Sequence, residues 1–424
     1  MKIHKVLVVI IIFLCFSCKE KQSTTSYNAK IIRKENKIPI LETAKESSVS
    51  KVWVDASTGH KIEKLIDREG ENKSFYFHNN PFLPTKDKKG WLMVFYGSTP
   101  NGTQLFTVDL KSKSIVQITN KSGEKSGEIV GVKTRKVYYR INDSIFSTHI
   151  DTHKTTFIFK FPTDRMGSIA TLNADETMLG GVISSKEEQE IVKKYPEKKD
   201  FFDRIYDAKL ERTLITIDVA TGNLKKLFSE NAWLNHEQFS PTNPKLFMYC
   251  HEGPWHKVDR IWNIDIDTKK QKLIHKRTVD REIAGHEFFS PDGKTIWFDL
   301  QIPRGETFYL AGKNLENGEE KRYALKRDEW SIHYNIAPDL KSFAGDGGDD
   351  GQVAHAKDGR WIYHFVPDGD HFVSEKLVNM KNHNYKLEPN VHFSPDGKWI
   401  IFRANFEGNV QVYAVEINHY NNLQ

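Results

Sequence analysis

The sequence predicts an all-β fold, a seven-bladed β-propeller that follows an N-terminal signal and tether and carries one helical insertion. Two observations support this prediction. A Pro- or polar-turn motif preceded by an apolar residue recurs along the chain, at intervals of roughly 40 to 70 residues. A second strand pair, joined by an Asp- or Asn-containing turn, follows most copies, as in FTVDLKSKSIVQIT and LITIDVATGNLKKLF. Two hairpins per repeat are typical of a four-stranded propeller blade.

Four copies of the turn are strong, because each has an apolar residue, Ser or Ala, Pro, a turn and then an alternating aromatic strand. They are FSPTNPKLFMYC, FSPDGKTIWFD, IAPDLKSFAGD and FSPDGKWIIFR, which begin at 239, 289, 336 and 393. Three weaker copies begin at 84, 131 and 172. The segment VWVDASTGHKIEKLID, from 52, resembles a second hairpin that lacks a first one. We therefore expect it to close the ring against the C-terminal VQVYAVEIN.

The regions outside the repeats predict a signal, a tether and an insertion. Residues 2–18 combine a basic start, a short apolar run and Ser17-Cys18, which predicts a lipoprotein signal over 1–18 with lipidation of Cys18; an ordinary signal peptide is the alternative. Residues 19–50 are polar and predict a flexible tether, with the propeller over 51–424. The charged segment 184–211 has a helical pattern and predicts an insertion over one face of the propeller. These features predict a membrane-anchored protein of the cell envelope, facing the periplasm or the outer surface.

Charge and motifs exclude several classes of function. The net charge of +6, from 62 basic and 56 acidic residues, is too mild for a nucleic-acid partner but is compatible with an anionic small substrate. The sequence has no Gly-x-Ser-x-Gly, no phosphate-binding glycine loop and no paired-cysteine zinc pattern. These absences argue against an esterase, a kinase and a zinc finger.

A polar residue recurs at one fixed place in the repeat. His236, His286 and His333 each stand five residues before a turn proline, and the same count before Pro395 gives Asn390. Because the first strand of each propeller blade lines the central channel, we expect these side chains to meet in one pocket. The alternative is that they cap the blade entrances by hydrogen bonding. The segment CHEGPWHKVDRIWNID adds His251 and Arg260 from a loop expected above the channel, where we predict that they and His333 bind substrate.

Four stretches resemble the oligogalacturonate lyases, seven-bladed propellers that cleave short pectin fragments by β-elimination. They are WLNHEQFSP, CHEGPW, GHEFFSPDG and LEPNVHFSPDGKWIIFRANFEGNVQVYAVEI. The resemblance covers most of residues 50–417 and is strongest after 210. It implies a lyase that acts on short galacturonate-type oligosaccharides in pectin degradation.

The resemblance also implies roles for individual residues. His236 matches the base that removes the proton from C5 of a galacturonate, Arg212 matches the assisting arginine, and His286 matches a ligand of the family's manganese ion. The other three metal positions, filled in the family by a glutamine and two histidines, correspond here to Tyr385, Glu388 and Asn390. A hard divalent cation, manganese or else calcium, is therefore expected on an altered site, with the absence of any metal as the alternative.

Two features separate this chain from that family. Its signal predicts the envelope, whereas the family members that finish pectin breakdown are generally cytoplasmic. Its altered metal positions favour the rival hypothesis, a non-catalytic envelope propeller that binds glycan or protein. The expected partners are a uronate oligosaccharide and, through Cys18, the lipid of a membrane.

Overall fold

The N-terminal strands do not form a blade of their own. In the computed structural model, which describes residues 38–45 and 50–420, the first three strands are β1 (Ile40–Leu41), β2 (Val52–Asp55) and β3 (His60–Lys64). β1 pairs in parallel with β2, and β2 pairs in antiparallel with β3. They form the outer edge of the last sheet of the chain.

The next four sheets follow one another in chain order, and we call them blades 1 to 4. Blade 1 contains β4 (Asn72–Lys73), β5 (Phe82–Pro84), β6 (Trp91–Gly97), β7 (Gln104–Asp109) and β8 (Ile115–Gln117). Blade 2 contains β9 (Ser126–Gly131), β10 (Lys136–Ile141), β11 (Ser144–His149) and β12 (Thr155–Lys160). Blade 3 contains β13 (Arg165–Leu172), β14 (Met178–Ser185), β15 (Arg212–Asp218) and β16 (Leu224–Glu230). Blade 4 contains β17 (Leu234–Phe239), β18 (Leu246–His251), β19 (Ile261–Asp265) and β20 (Gln271–Leu273).

Blades 5 and 6 are two four-stranded sheets joined at one parallel pair, Ala324 with His371. Blade 5 contains β21 (Ile283–Phe289), β22 (Thr295–Gln301), β23 (Phe308–Asn314) and β24 (Glu320–Leu325). Blade 6 contains β25 (Tyr334–Ile336), β26 (Phe343–Gly345), β27 (Trp361–Asp368) and β28 (His371–Asn379). Blade 7 contains β29 (His392–Phe393), β30 (Trp399–Ala404) and β31 (Gln411–His419), and β3 is its fourth strand.

The ring closes through that fourth strand. β3 pairs in antiparallel with β31, with Ile62 opposite Val415 and Glu63 opposite Ala414. The predicted seven-bladed all-β fold is therefore confirmed within the described residues, and so is the closing role of the segment that begins at 52.

Each blade buries both faces against its neighbours. In β10, Val137 and Tyr139 pack with residues of blade 1, whereas Tyr138 between them packs with residues of blade 3. Successive strand residues point to opposite faces, so one aromatic strand contributes to two cores. All three side chains are essentially inaccessible to solvent, and burial of each contributes about 1.5–3 kcal/mol. A blade therefore cannot be stable alone.

The helical pattern of 184–211 is present as two helices between β14 and β15. They are α1 (Lys186–Lys194) and α2 (Lys198–Ala208). Phe202 of α2 packs on Trp233, with ring centroids 5.1 Å apart, and Tyr206 lies directly on Gly253. A side chain at Gly253 would collide with Tyr206, which explains the glycine there. Across residues 38–45 and 50–420, the helices fall short of the length and apolarity that crossing a membrane requires.

Candidate active site

The repeat position predicted from the sequence is a β-bulge. His236, His286 and Asn390 have positive φ values of 53°, 47° and 51°. Next to the two histidines, the pairing of the first strand with the second shifts by one residue. A left-handed residue in a strand is unfavourable for any residue other than glycine, and bulges of this kind redirect a side chain. The bulge thus takes His236 and His286 out of the regular alternation of side chains between the two faces of their sheets.

The three histidines lie around two aromatic residues. The His286 and His333 rings are 4.9 Å apart at an angle of 78°, and Phe77 lies 4.8 Å from His333 and 6.4 Å from His286. Tyr76 lies 5.1 Å from the His333 ring and 6.4 Å from the His236 ring. The side chains from blades 4, 5 and 6 therefore share one pocket, which we call the axial site.

The segment Tyr76–His78 is a part of this site that sequence reasoning missed. It enters blade 1 and is held by its backbone: Phe77 N–H donates to the Asn390 amide oxygen, and the Asn335 amide donates to Phe77 O. Counting back five residues from the weak turn at Pro84 gives Asn79, one residue beyond His78. A one-residue offset in a weak repeat was the only signal that could have found it.

One half of the axial site consists of two histidines that each bind a buried aspartate. His286 Nδ1 is 2.8 Å from Asp299 Oδ1, and His333 Nδ1 is 2.9 Å from Asp346 Oδ2. The His333 Nε2 is buried without a hydrogen-bond partner, and it lies 3.8 Å from the Glu388 carboxylate. A carboxylate on one imidazole nitrogen fixes the tautomer and leaves the other nitrogen to bind a metal.

The electrostatics of this half keep His333 neutral. Burial and the nearby His286 hold the pKa of His333 well below its ordinary value. Burial also disfavours a charged His286, but the Asp299 carboxylate outweighs it and raises the pKa of that ring. Burial raises the pKa of Asp346 to about 7, although the N–H groups of His333 and Asn390 oppose the shift.

The other half is built around His236. Its Nε2 lies 3.4 Å from Glu252 Oε2, and Glu252 Oε1 accepts hydrogen bonds from Arg260 at 2.7 Å and from the Trp255 indole at 3.0 Å. Burial alone would raise the pKa of Glu252, but Arg260 and His236 lower it well below the usual range. The result is an ionised, immobile carboxylate beside a histidine whose side chain is 22% exposed.

Arg212 lies beside this half but is already paired. Its guanidinium binds both carboxylate oxygens of Glu188 in α1, with a 2.8 Å Nε–Oε2 contact, and it donates to the Leu234 carbonyl at 2.6 Å. Leu234 is two residues before His236 in the same strand. The role implied for Arg212, binding of a substrate carboxylate, stays a prediction, and the observed contacts join the insertion to the strand that carries His236.

The two residues expected to bind substrate from the segment that follows Cys250 both contact carboxylates, and their substrate-binding role stays a prediction. Arg260 is 2% exposed and sits between Glu252 and Glu287, with a 3.0 Å contact to the latter, so it orients Glu252. His251 donates to Glu230 at 3.0 Å, at the boundary with blade 3. His251 is the last residue of β18 and Arg260 directly precedes β19, so the two residues flank the loop that was expected to carry them.

The three metal ligands expected near the last blade differ in whether their side chains are already hydrogen-bonded. Both ends of the Asn390 amide are bonded, the oxygen to Phe77 N–H and the nitrogen to Glu388 O. The Tyr385 hydroxyl donates to the Asp346 carbonyl, and burial raises its pKa well above the ordinary value. Only Glu388 presents a free charged group, 45% exposed, to the histidines.

The fold and this site define a class: a seven-bladed propeller whose axis carries a carboxylate-oriented histidine opposite two aspartate-paired imidazoles. The family model described as oligogalacturonate lyase matches residues 42–311. The chain belongs to the oligogalacturonate lyase family.

Individual relatives agree with that assignment. The chain is 22% identical to an oligogalacturonide lyase of Pectobacterium atrosepticum, over 91% of this chain and 98% of the relative. It is 24% identical to an oligogalacturonate lyase of Dickeya dadantii, over 86% and 95%. A solved oligogalacturonate lyase in complex with manganese superposes with a TM-score of 0.74 at 21% identity, covering 87% of this chain and 96% of that one. The lyase from Vibrio parahaemolyticus gives the same TM-score at 22% identity.

Proposed function

We propose that this lyase cleaves short galacturonate-type oligosaccharides by β-elimination, with His236 as the base. The observation that carries the proposal is the pairing of His236 with the buried, ionised Glu252 in a pocket shared with His286 and His333. Membership of the oligogalacturonate lyase family points to the same substrate class. The rest of the axial site supports the charge chemistry that such an elimination needs.

His236 is suited to removing the C5 proton. When its Nε2–H faces the Glu252 carboxylate, its Nδ1 is left unprotonated, and a neutral imidazole is an effective base near neutral pH. The C5 proton passes to that nitrogen, the C5–H electrons form the C4–C5 double bond, and the C4–O bond breaks. The departing oxygen takes a proton from water. Glu252 stabilises the imidazolium that results, as the carboxylate does in a catalytic triad.

The residue types in the axial site suit a divalent cation, although the donor atoms of His286, His333 and Glu388 do not all lie within 4.8 Å of one another. The His333 Nε2 is a buried polar atom without a partner, the His286 Nδ1 is bound to Asp299, and Glu388 supplies a carboxylate, so we assign His286, His333 and Glu388 as the ligands. A bound cation neutralises the substrate carboxylate next to C5 and so acidifies the C5 proton. Imidazole and carboxylate together suit manganese, the ion named with one solved relative, and calcium is the second choice. His333 thus replaces Tyr385 and Asn390 in the expected ligand set.

A binding protein without catalysis is the second candidate. The observation that favours it is the Glu188–Arg212 ion pair, because it neutralises a cation that the family resemblance assigns to the reaction. Such a protein would bind the oligosaccharide in the same pocket and release it unchanged.

We also propose that the protein works at the cell envelope, anchored by a lipid on Cys18. The basis is the sequence of residues 2–18, which lies outside the described residues. Labelling with a fatty acid in the native host should mark the wild-type chain and not Cys18→Ser. Equal labelling of both would overturn this proposal.

The function is tested by incubating the protein with digalacturonate, longer galacturonate oligomers and other uronate oligosaccharides, with manganese or with a chelator. The double bond conjugated to the carboxylate absorbs in the ultraviolet and reports each cleavage. We expect product with manganese and a large loss of rate with the chelator. Binding of an oligomer without product under either condition would support the binding protein and overturn the lyase.

A further inference from the structure

A second histidine–carboxylate cluster lies where β3 and β31 of blade 7 meet β28 of blade 6. His60 begins β3, His419 ends β31, and the two are opposite each other in the closing strand pair. Their rings are stacked with centroids 4.3 Å apart. Glu375, from the outer strand β28 of blade 6, completes what we call the edge cluster.

The three side chains converge on one point. Glu375 Oε1 is 3.4 Å from His60 Nε2 and 3.0 Å from His419 Nε2. One ligating atom from each residue lies within 4.8 Å of the others. Ligands of a tetrahedral zinc ion, with bonds near 2.0–2.1 Å, stand roughly 3.3 Å apart. Two of the three ligand–ligand distances in the edge cluster are therefore close to the spacing around a zinc ion.

His60 shows why a cation fits there. Its Nδ1 is 3.0 Å from the Glu416 carbonyl, so it carries the hydrogen and leaves Nε2 as an acceptor. That Nε2 is fully buried and has no hydrogen-bond partner. Two acceptors, Nε2 and the Glu375 carboxylate, thus face each other with no hydrogen between them, an arrangement that a shared cation stabilises.

A further imidazole stands behind the cluster. His364 Nδ1 is 3.8 Å from Glu375 Oε2, the carboxylate oxygen that does not face His60. His364 therefore lies next to the carboxylate without a direct hydrogen bond to it. His419 is exposed, so water can reach the cluster and supply the fourth ligand.

We propose that the edge cluster binds one zinc ion through His60, Glu375 and His419. The ion joins the strand that closes the ring, the last strand of the chain, and blade 6. Its role is structural, because it links the paired strands β3 and β31 that close the ring. The proposal stands apart from the lyase function because it involves none of the axial residues.

The test counts zinc in purified protein and titrates it by calorimetry in a His286→Ala background, which disables the axial site. We expect about one equivalent in this background and its loss in the added variants His419→Ala and Glu375→Gln. His419 and Glu375 are chosen because they are not buried, so their substitution leaves the core intact. The control is His371→Ala, an exposed histidine on the same strand as Glu375, which should keep the zinc.

Stability gives an independent measurement. Because zinc binds the folded chain, a saturating amount should raise Tm by a few degrees in the His286→Ala protein and leave Tm unchanged when His419→Ala is added. Zinc binding of equal stoichiometry and affinity with and without His419→Ala would overturn the proposal. So would the absence of any zinc binding in the His286→Ala background.

Discussion

The two halves of the axial site use one repeat position for different purposes. In blade 4, His236 faces Glu252 through Nε2, and that carboxylate belongs to a buried chain of charges that runs through Arg260. In blades 5 and 6, His286 and His333 face their aspartates through Nδ1. The same bulge turns His236 and His286 toward the axis, so the position alone does not assign a role.

The position of the partner carboxylate determines which ring nitrogen of each histidine is available to the pocket. The carboxylate on Nε2 of His236 leaves its Nδ1 available, whereas the carboxylates on Nδ1 of His286 and His333 leave their Nε2 available. The repetition of the blades places the imidazoles, and residues elsewhere in each blade determine which nitrogen faces a carboxylate.

The largest effect is expected at His236. His236→Ala should lower kcat by about 10²- to 10⁴-fold, because it removes the base, while the affinity for oligosaccharide changes little. Initial rates by ultraviolet absorbance and binding by calorimetry check this. The matched control is His371→Ala, an exposed histidine in blade 6 that should behave as wild type. Unchanged turnover in His236→Ala would show that the base is elsewhere.

A smaller effect, on the affinity for manganese, is expected at Asp299, which contacts His286. Asp299→Asn should weaken the affinity of the axial site for manganese by about 10- to 100-fold, since the aspartate orients the imidazole. Manganese titration measures it, with Asp280→Asn, at an exposed position, as the control. If Asp299→Asn bound manganese with the affinity of wild type, Asp299 would not be orienting His286 as a metal ligand.

The insertion should influence stability on the His236 side. Glu188→Gln leaves the buried Arg212 without its charged partner, so the free energy of unfolding should fall by about 1–3 kcal/mol. Denaturant unfolding measures it, and Glu190→Gln in the same helix provides the comparison. A loss equal to that of Glu190→Gln would mean that the ion pair does not hold the insertion in place.

The smallest effect on stability is expected at His275. Both of its ring nitrogens contact carboxylates, so neither is available to bind a metal or to act as a base. His275 contacts Glu282 at 2.7 Å and Glu320 at 2.9 Å; burial opposes its charge, but both carboxylates together raise its pKa. Its contribution to stability is therefore complete below pH 6.5, the unfolded value, and declines as the pH rises through the folded pKa.

The titration of Glu320 sets the lower end of the pH range in which its pairing with His275 stabilises the fold. Burial opposes its ionisation, but His275 and Arg322 lower its pKa to about 2, so its contribution is complete above 4.5 and is lost as the pH falls toward 2. The difference in unfolding free energy between wild type and His275→Asn, on the order of 1 kcal/mol, should thus be greatest between pH 4.5 and 6.5. A difference that grows above pH 6.5 would contradict this.

The sequence predicted the propeller and the common position of the axial histidines, because both follow from the spacing of turns. It did not predict that the His333 Nε2 is left without a hydrogen-bond partner or that the Asn390 amide oxygen is already bonded, since spacing does not tell which atom a side chain presents. The Arg212–Glu188 pair could not be predicted either, because the carboxylate comes from an insertion outside the repeat.

The edge cluster was beyond prediction for another reason. His60 and His419 lie near opposite ends of the chain, and only closure of the ring makes them neighbours. The weak first repeat likewise concealed Tyr76 and His78.

The division of the axial site is tested most directly by counting manganese in His236→Ala and His333→Ala, both made with His419→Ala so that the edge cluster does not contribute. We predict that His236→Ala binds one equivalent with the affinity of the His419→Ala parent while its kcat falls by about 10²- to 10⁴-fold. We predict that His333→Ala binds manganese at least about 10-fold more weakly than that parent. Loss of manganese from His236→Ala, or full retention by His333→Ala, would contradict the account.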